Sequence, residues 1–182
     1  GDRKSVLVET AHFSRLGGWM LDNQFESHLG FSYLIAHGLG KPVESAQAEM
    51  RFPKAGRYHV WALTKDWCPG EWDSPGKFKI RLGDQALKET FGTKADWTWQ
   101  SGGTVDVPAS ELSTTIALED LTGFAGRCSA VYFSLDANDT PPINKETLPQ
   151  WRRDKVGLPS SSVDQGHYDL VIVGGGISGC AA

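Results

Sequence analysis

The chain has 182 residues, 40% of them hydrophobic and 22% charged, with a formal net charge of −4. That is the composition of an ordinary globular domain with a tail, and the acidic balance excludes the basic footprint of a nucleic-acid-binding protein. No apolar run approaches the ~20 residues that a membrane-spanning helix needs, so neither nucleic acid nor a membrane span is expected.

In chain order, the pattern is β from about residue 5 to residue 136. Ser5–Glu9 opens as a short apolar strand, and Ala46–Phe52 alternates Ala46, Ala48, Met50 and Phe52 with polar neighbours. Arg57–Thr64, Lys77–Leu82, Thr104–Val107, Thr114–Glu119 and Ser129–Leu135 continue the series. Turn residues separate them at 53–56, 75–76, 83–84, 102–103 and 123–126. Many short alternating strands with such punctuation predict an all-β fold, a two-sheet antiparallel jelly-roll β-sandwich with one buried and one wet face per sheet. Only Phe31–His37 and Ser110–Leu112 hint at helical turns.

After Leu135 the composition changes. Residues 137–167, rich in proline and serine, read as a partly extended linker, although Trp151, Arg152 and Arg153 suit a contact that tacks it onto a domain surface. The chain then divides as a β-sandwich over 1–136, the linker, and the start of a nucleotide-binding domain over 168–182. Leu170, Val171, Ile172 and Val173 form a continuous apolar strand, followed by glycines spaced Gly174-x-Gly176-x-x-Gly179. Gly174 permits a tight turn, Gly176 a close approach of backbone to a pyrophosphate, and Gly179 tight packing of helix on strand. The helix N-terminus then presents its free N–H groups to phosphate. The acidic ribose-binding residue expected about 20 positions later lies beyond Ala182. The last residues therefore read as a truncated first βα unit of a Rossmann-type domain, and no dinucleotide is expected to stay on this piece alone.

Seven tryptophans include the clusters Trp67/Trp72 and Trp97/Trp99. Flat aromatics stack on the C–H faces of sugar rings while neighbouring carboxylates hold hydroxyls, and Trp67 with Asp66, Trp72 with Glu71 and Asp73, and Trp97 with Asp96 supply both parts. Burial in the core competes with this reading and is expected for two of the four. Asp120 and Arg127 bracket a glycine-rich loop and suit a loop-closing ion pair. His37 reads as structural. Cys68, Cys128 and Cys180 match no metal spacing; Cys68 and Cys128 are either a disulfide or two core thiols. No nucleophile elbow or HExxH motif occurs, so no catalytic residue is expected in this chain.

Val8–Phe13, Gly17-Gly18-Trp19, Ala36–Gly40, Thr64–Trp67, Phe91-Gly92-Thr93 and Asp120–Phe124 together resemble the golvesin/xanthan-lyase-type carbohydrate-binding-like β-sandwich over roughly residues 5–136. In bacterial secreted proteins this module is joined to FAD-dependent oxidoreductases. The resemblance implies an N-terminal, non-catalytic module that binds or orients a glycan-like substrate or packs on a C-terminal flavin domain. In that parent, Gly174, Gly176 and Gly179 would hold FAD, and the location would be extracytoplasmic. A polysaccharide-tethering module and a purely structural interdomain module are the alternatives. Related sugar-binding jelly rolls carry calcium near an N-terminal Glu-x-Glu. Glu9 is followed here by Thr10-Ala11, and no metal site is expected.

Overall fold

The computed structural model describes residues 4–70 and 75–173. Ten strands run in chain order: β1 (Ser5–Glu9), β2 (Trp19–Asp22), β3 (Tyr33–His37), β4 (Ala46–Arg51), β5 (Gly56–Thr64), β6 (Phe78–Leu82), β7 (Gln85–Ala86), β8 (Thr98–Val107), β9 (Ser113–Asp120) and β10 (Phe124–Ser134). Two short α-helices, α1 (Glu26–Leu29) and α2 (Leu148–Lys155), accompany them. The larger sheet has the order β2-β3-β10-β5-β8, and the smaller β4-β9-β6-β7. All pairings are antiparallel. β10 is long enough to hold two partners end to end on one side, β3 along Phe124–Cys128 and β1 along Ala130–Ser134, with β5 on the other.

The two sheets face each other across a dry core. Val60, Val131 and Phe133 of the larger sheet meet Ile80, Ile116 and Leu118 of the smaller, all fully buried. Trp19 packs edge-on against Phe78, and Phe52 against Phe133, at 5.6 and 5.1 Å between ring centroids. Each such side chain contributes about 1.5–3 kcal/mol by leaving water. The architecture is a β-sandwich.

The expected wet outer face survives on the larger sheet only towards one end, where Arg57 of β5 and Thr104 and Asp106 of β8 are exposed; beyond it that face is covered. Leu7, Tyr33, Leu63, Ala130 and Tyr132 point outward into a second apolar layer closed by Leu29 of α1, Leu148 of α2 and Trp97. Every residue of β10 from Ala125 onward is therefore buried, and its apolar run Ala130–Phe133 is that of a strand covered on both sides. The stretch expected as a linker supplies part of that cover through α2. Arg152, wholly buried, meets both carboxylate oxygens of Glu9 (Nε to Oε1, 2.9 Å), donates to the Ser129 carbonyl at 3.3 Å, and lies 4.4 Å from the Phe31 ring centroid. Trp151 packs edge-on against Tyr132 at 4.9 Å.

Several local expectations are corrected. Phe31–His37 is not helical: residues from Tyr33 on form β3, held between β2 and β10, so sheet pairing overrides a helix-like pattern. Ser110–Leu112 overlaps a single turn, Pro108–Glu111, closed by Glu111 N–H donating to the Pro108 carbonyl, and goes no further towards a helix. Gly102-Gly103 lies within β8 opposite a register shift at His59/Trp61; Gly103, at φ +73°, accommodates the bulge. Asp120 and Arg127 do not pair. Asp120 instead accepts from the backbone N–H groups of Val43, Thr122 and Gly123, and Arg127 donates to carbonyls of Trp67 and Ala125. Cys68 and Cys128 are both buried free thiols. Described residues 168–173 form no strand and are exposed.

Candidate functional site

The loop after β5 brings its residues out in alternation. Cys68 turns inward, while Trp67 keeps 39% of its surface exposed, the only predicted tryptophan in the exposed class among the described residues. Trp97 is buried at 7% exposure, and Trp99 is half-buried with its indole N–H donated to the Pro142 carbonyl at 2.8 Å. Asp66 is half-buried beside Trp67 and donates its backbone N–H to the Lys94 carbonyl at 2.6 Å. Trp72, Gly174, Gly176 and Gly179 lie outside the described residues. Of the predicted aromatics, the structure thus brings Trp67 and Trp97 into one cluster and places Trp99 apart.

The centre of that cluster is a residue the sequence reading did not single out. Phe25, at the start of α1, lies 6.0 Å from both Trp67 and Trp97, edge-on to each, and stacks on Tyr33 at 6.2 Å. Two cations complete it. Arg127 projects from β10 with its guanidinium 5.4 Å from Trp67 and 5.6 Å from Phe25, and Lys65 lies 5.4 Å from Phe25. Arg127 also donates to the Trp67 carbonyl at 2.5 Å, so one side chain fixes both ring and backbone of that tryptophan. Cation–π contacts of this kind are worth about 0.5–2 kcal/mol.

Tyr33 closes the floor by donating its hydroxyl to Asp22. Burial, and then the Asp22 carboxylate, push its phenol far above the ordinary tyrosine range, so it stays a hydrogen-bond donor. Glycine allows the neighbouring loops to meet: Gly92 has φ +77°, and a Cβ there would sit 2.0 Å from the Gly76 carbonyl oxygen. The result is an exposed Trp67 ring braced from within by the buried Arg127 guanidinium and by Phe25, with the largely covered Lys65 beside it. It suits stacking and hydrogen bonding to a neutral polyhydroxylated ring. Arg127 carried a sequence signal, a cation inside an apolar strand, whereas Phe25 carried none because it is reached only through the fold.

No protein-family model matches the chain, and no curated relative does. Solved structures do. The C-terminal family 6 carbohydrate-binding module of a marine laminarinase from Zobellia galactanivorans is similar at TM-score 0.52 and 15% identity, over 71% of this chain and 98% of that one. A family 35 carbohydrate-binding module from Clostridium thermocellum gives 0.54 and 13%, over 71% and 96%. The fold is that of carbohydrate-binding modules. A Paenibacillus xanthan lyase also contains it, at 0.52 and 17%, over 72% of this chain and 13% of the lyase. At these identities the likeness is one of fold, and the chemistry rests on the side chains themselves.

Proposed function

We propose that the chain is a non-catalytic glycan-binding module whose loop-end surface, centred on Trp67, stacks on a pyranose ring. The observation that carries this is the exposed Trp67 ring, immobilised by Phe25 and Arg127 before any ligand arrives. Pre-fixed aromatics bind without much loss of conformational freedom. The structural neighbours named above, modules and an enzyme of polysaccharide metabolism, support the same reading. Lys65 and Asp66 supply polar partners at the edge of the platform. The strand order also supports jelly-roll topology.

For the whole protein, the glycine spacing 174–179 supports an N-terminal module of an extracytoplasmic FAD-dependent oxidoreductase, with a flavin domain beginning at residue 168. Docking of α2 on the sandwich favours a second role, holding that domain at a fixed place on the sheet.

Electrophoresis through gels containing laminarin, xanthan, xylan or galactomannan tests the glycan reading. At least one polysaccharide retards the wild type, and Trp67→Ala weakens that retention by about tenfold, the worth of a stacked ring. Unretarded migration of the wild type in every gel, or full retention by the variant, overturns the assignment.

A further inference from the structure

An open cavity of about 440 Å³ runs along β8, the edge strand of the larger sheet. That volume falls within the roughly 300–1,000 Å³ typical of small-molecule sites. Its wall is made of Thr98, Trp99, Gln100 and Ser101, and its rim of loop 94–96.

The wall is fixed from behind. Trp99 donates its N–H to Pro142 and is braced edge-on by Trp151 at 5.8 Å and Tyr132 at 6.4 Å. The Gln100 amide donates to the Thr90 carbonyl at 2.6 Å and accepts from Gly92 N–H at 3.2 Å. The rim is polar. Lys94 is exposed, and the Asp96 side chain is fully so. A fixed aromatic ring flanked by polar side chains suits ligands that offer both an apolar face and hydroxyls.

Loop 94–96 also touches the Trp67 surface. Lys65 donates its ammonium to the Ala95 carbonyl at 2.7 Å, Asp66 N–H donates to Lys94, and Trp67 is the next residue. One loop therefore divides two aromatic surfaces, and a chain-like ligand crossing it meets both.

We infer that the β8 groove is a second sugar subsite, continuous with the Trp67 surface across loop 94–96, so that the module takes an internal stretch of a glycan chain rather than a single sugar. This rests on the glycan-binding reading and goes beyond it in ligand length and in the residues used.

Competition in the retarding gel tests it, using di-, tetra- and hexasaccharides cut from the polysaccharide that retains the wild type. The tetrasaccharide competes about tenfold better than the disaccharide, the gain expected from a second stacked ring. Trp99→Ala removes that gain and leaves disaccharide competition unchanged. Lys94→Ala and Asp96→Ala, whose side chains are exposed and so leave the fold intact, each reduce the gain several-fold. Trp67→Ala weakens competition by every length.

Equal competition by all lengths in the wild type overturns the second subsite while the Trp67 reading stands. So does an undiminished length effect in the Lys94 and Asp96 variants and in a Trp99→Ala protein with a wild-type circular dichroism spectrum. A wild type that no gel retards overturns both.

Discussion

Glu9 and Arg152 form an ion pair withdrawn from water, and its value lies in both carboxylate oxygens being met by the guanidinium. Removing two charges from solvent costs several kcal/mol, which their attraction repays only with good geometry and further hydrogen bonds. Here Ser129 and Phe31 supply the extra contacts. Arg152→Met strands the Glu9 carboxylate in an apolar layer, and a loss of about 3–5 kcal/mol is expected from urea unfolding. The double variant Glu9→Leu/Arg152→Met restores most of it, because no buried charge is then left alone. Tyrosine gives a second residue-scale outcome. Burial raises the phenols of Tyr33, Tyr58 and Tyr132, and the carboxylates of Asp22 and Asp139 add to the shift at Tyr33 and Tyr132. The folded state favours the protonated form, so its advantage is complete below the unfolded tyrosine value of about 10 and falls as pH rises beyond it. Urea midpoints should hold steady from neutral pH to about pH 9 and decline by about pH 11, with tyrosinate absorbance appearing together with unfolding.

At the scale of elements, the loops around the candidate site depend on backbone that only glycine tolerates. Gly92→Ala places a methyl against the Gly76 carbonyl at a positive φ, and a loss of about 2 kcal/mol or more is expected in thermal melting. Loop 94–96 should shift with it, so glycan retention falls even at temperatures where the variant is folded. Most strands were legible in the sequence because alternation and turn residues are local signals: Ser5–Glu9, Ala46–Arg51 and Gly56–Thr64 emerge within a residue or two of expectation. β2 and β3 were not legible, since Trp19–Asp22 and Tyr33–His37 pair along a short stretch and their apolar residues do not alternate cleanly. α2 was hidden by the prolines around it, although its own Pro149, at the first turn, is compatible with a helix start. Of the candidate site, Trp67 was readable from its loop. Phe25, Tyr33 and Arg127 join it only through the packing of three separate segments, and although a cation within an apolar strand marks Arg127, no local pattern says which ring it meets.

At the scale of the whole molecule, the buried pair has a consequence for synthesis. β1 takes Ala130–Ser134 of β10 as its partner, and Glu9 takes Arg152, 143 positions later. β1 therefore leaves the ribosome long before the helix it waits for, and the strands between cannot close their outer layer meanwhile. Such dependence on distant contacts slows folding and prolongs exposure of unpaired edges. Nascent chains stalled with residue 125 outside the exit tunnel should remain protease-sensitive, whereas those stalled with residue 157 outside should become resistant in one step. Resistance acquired gradually, strand by strand, would show that the sandwich assembles without its C-terminal closure.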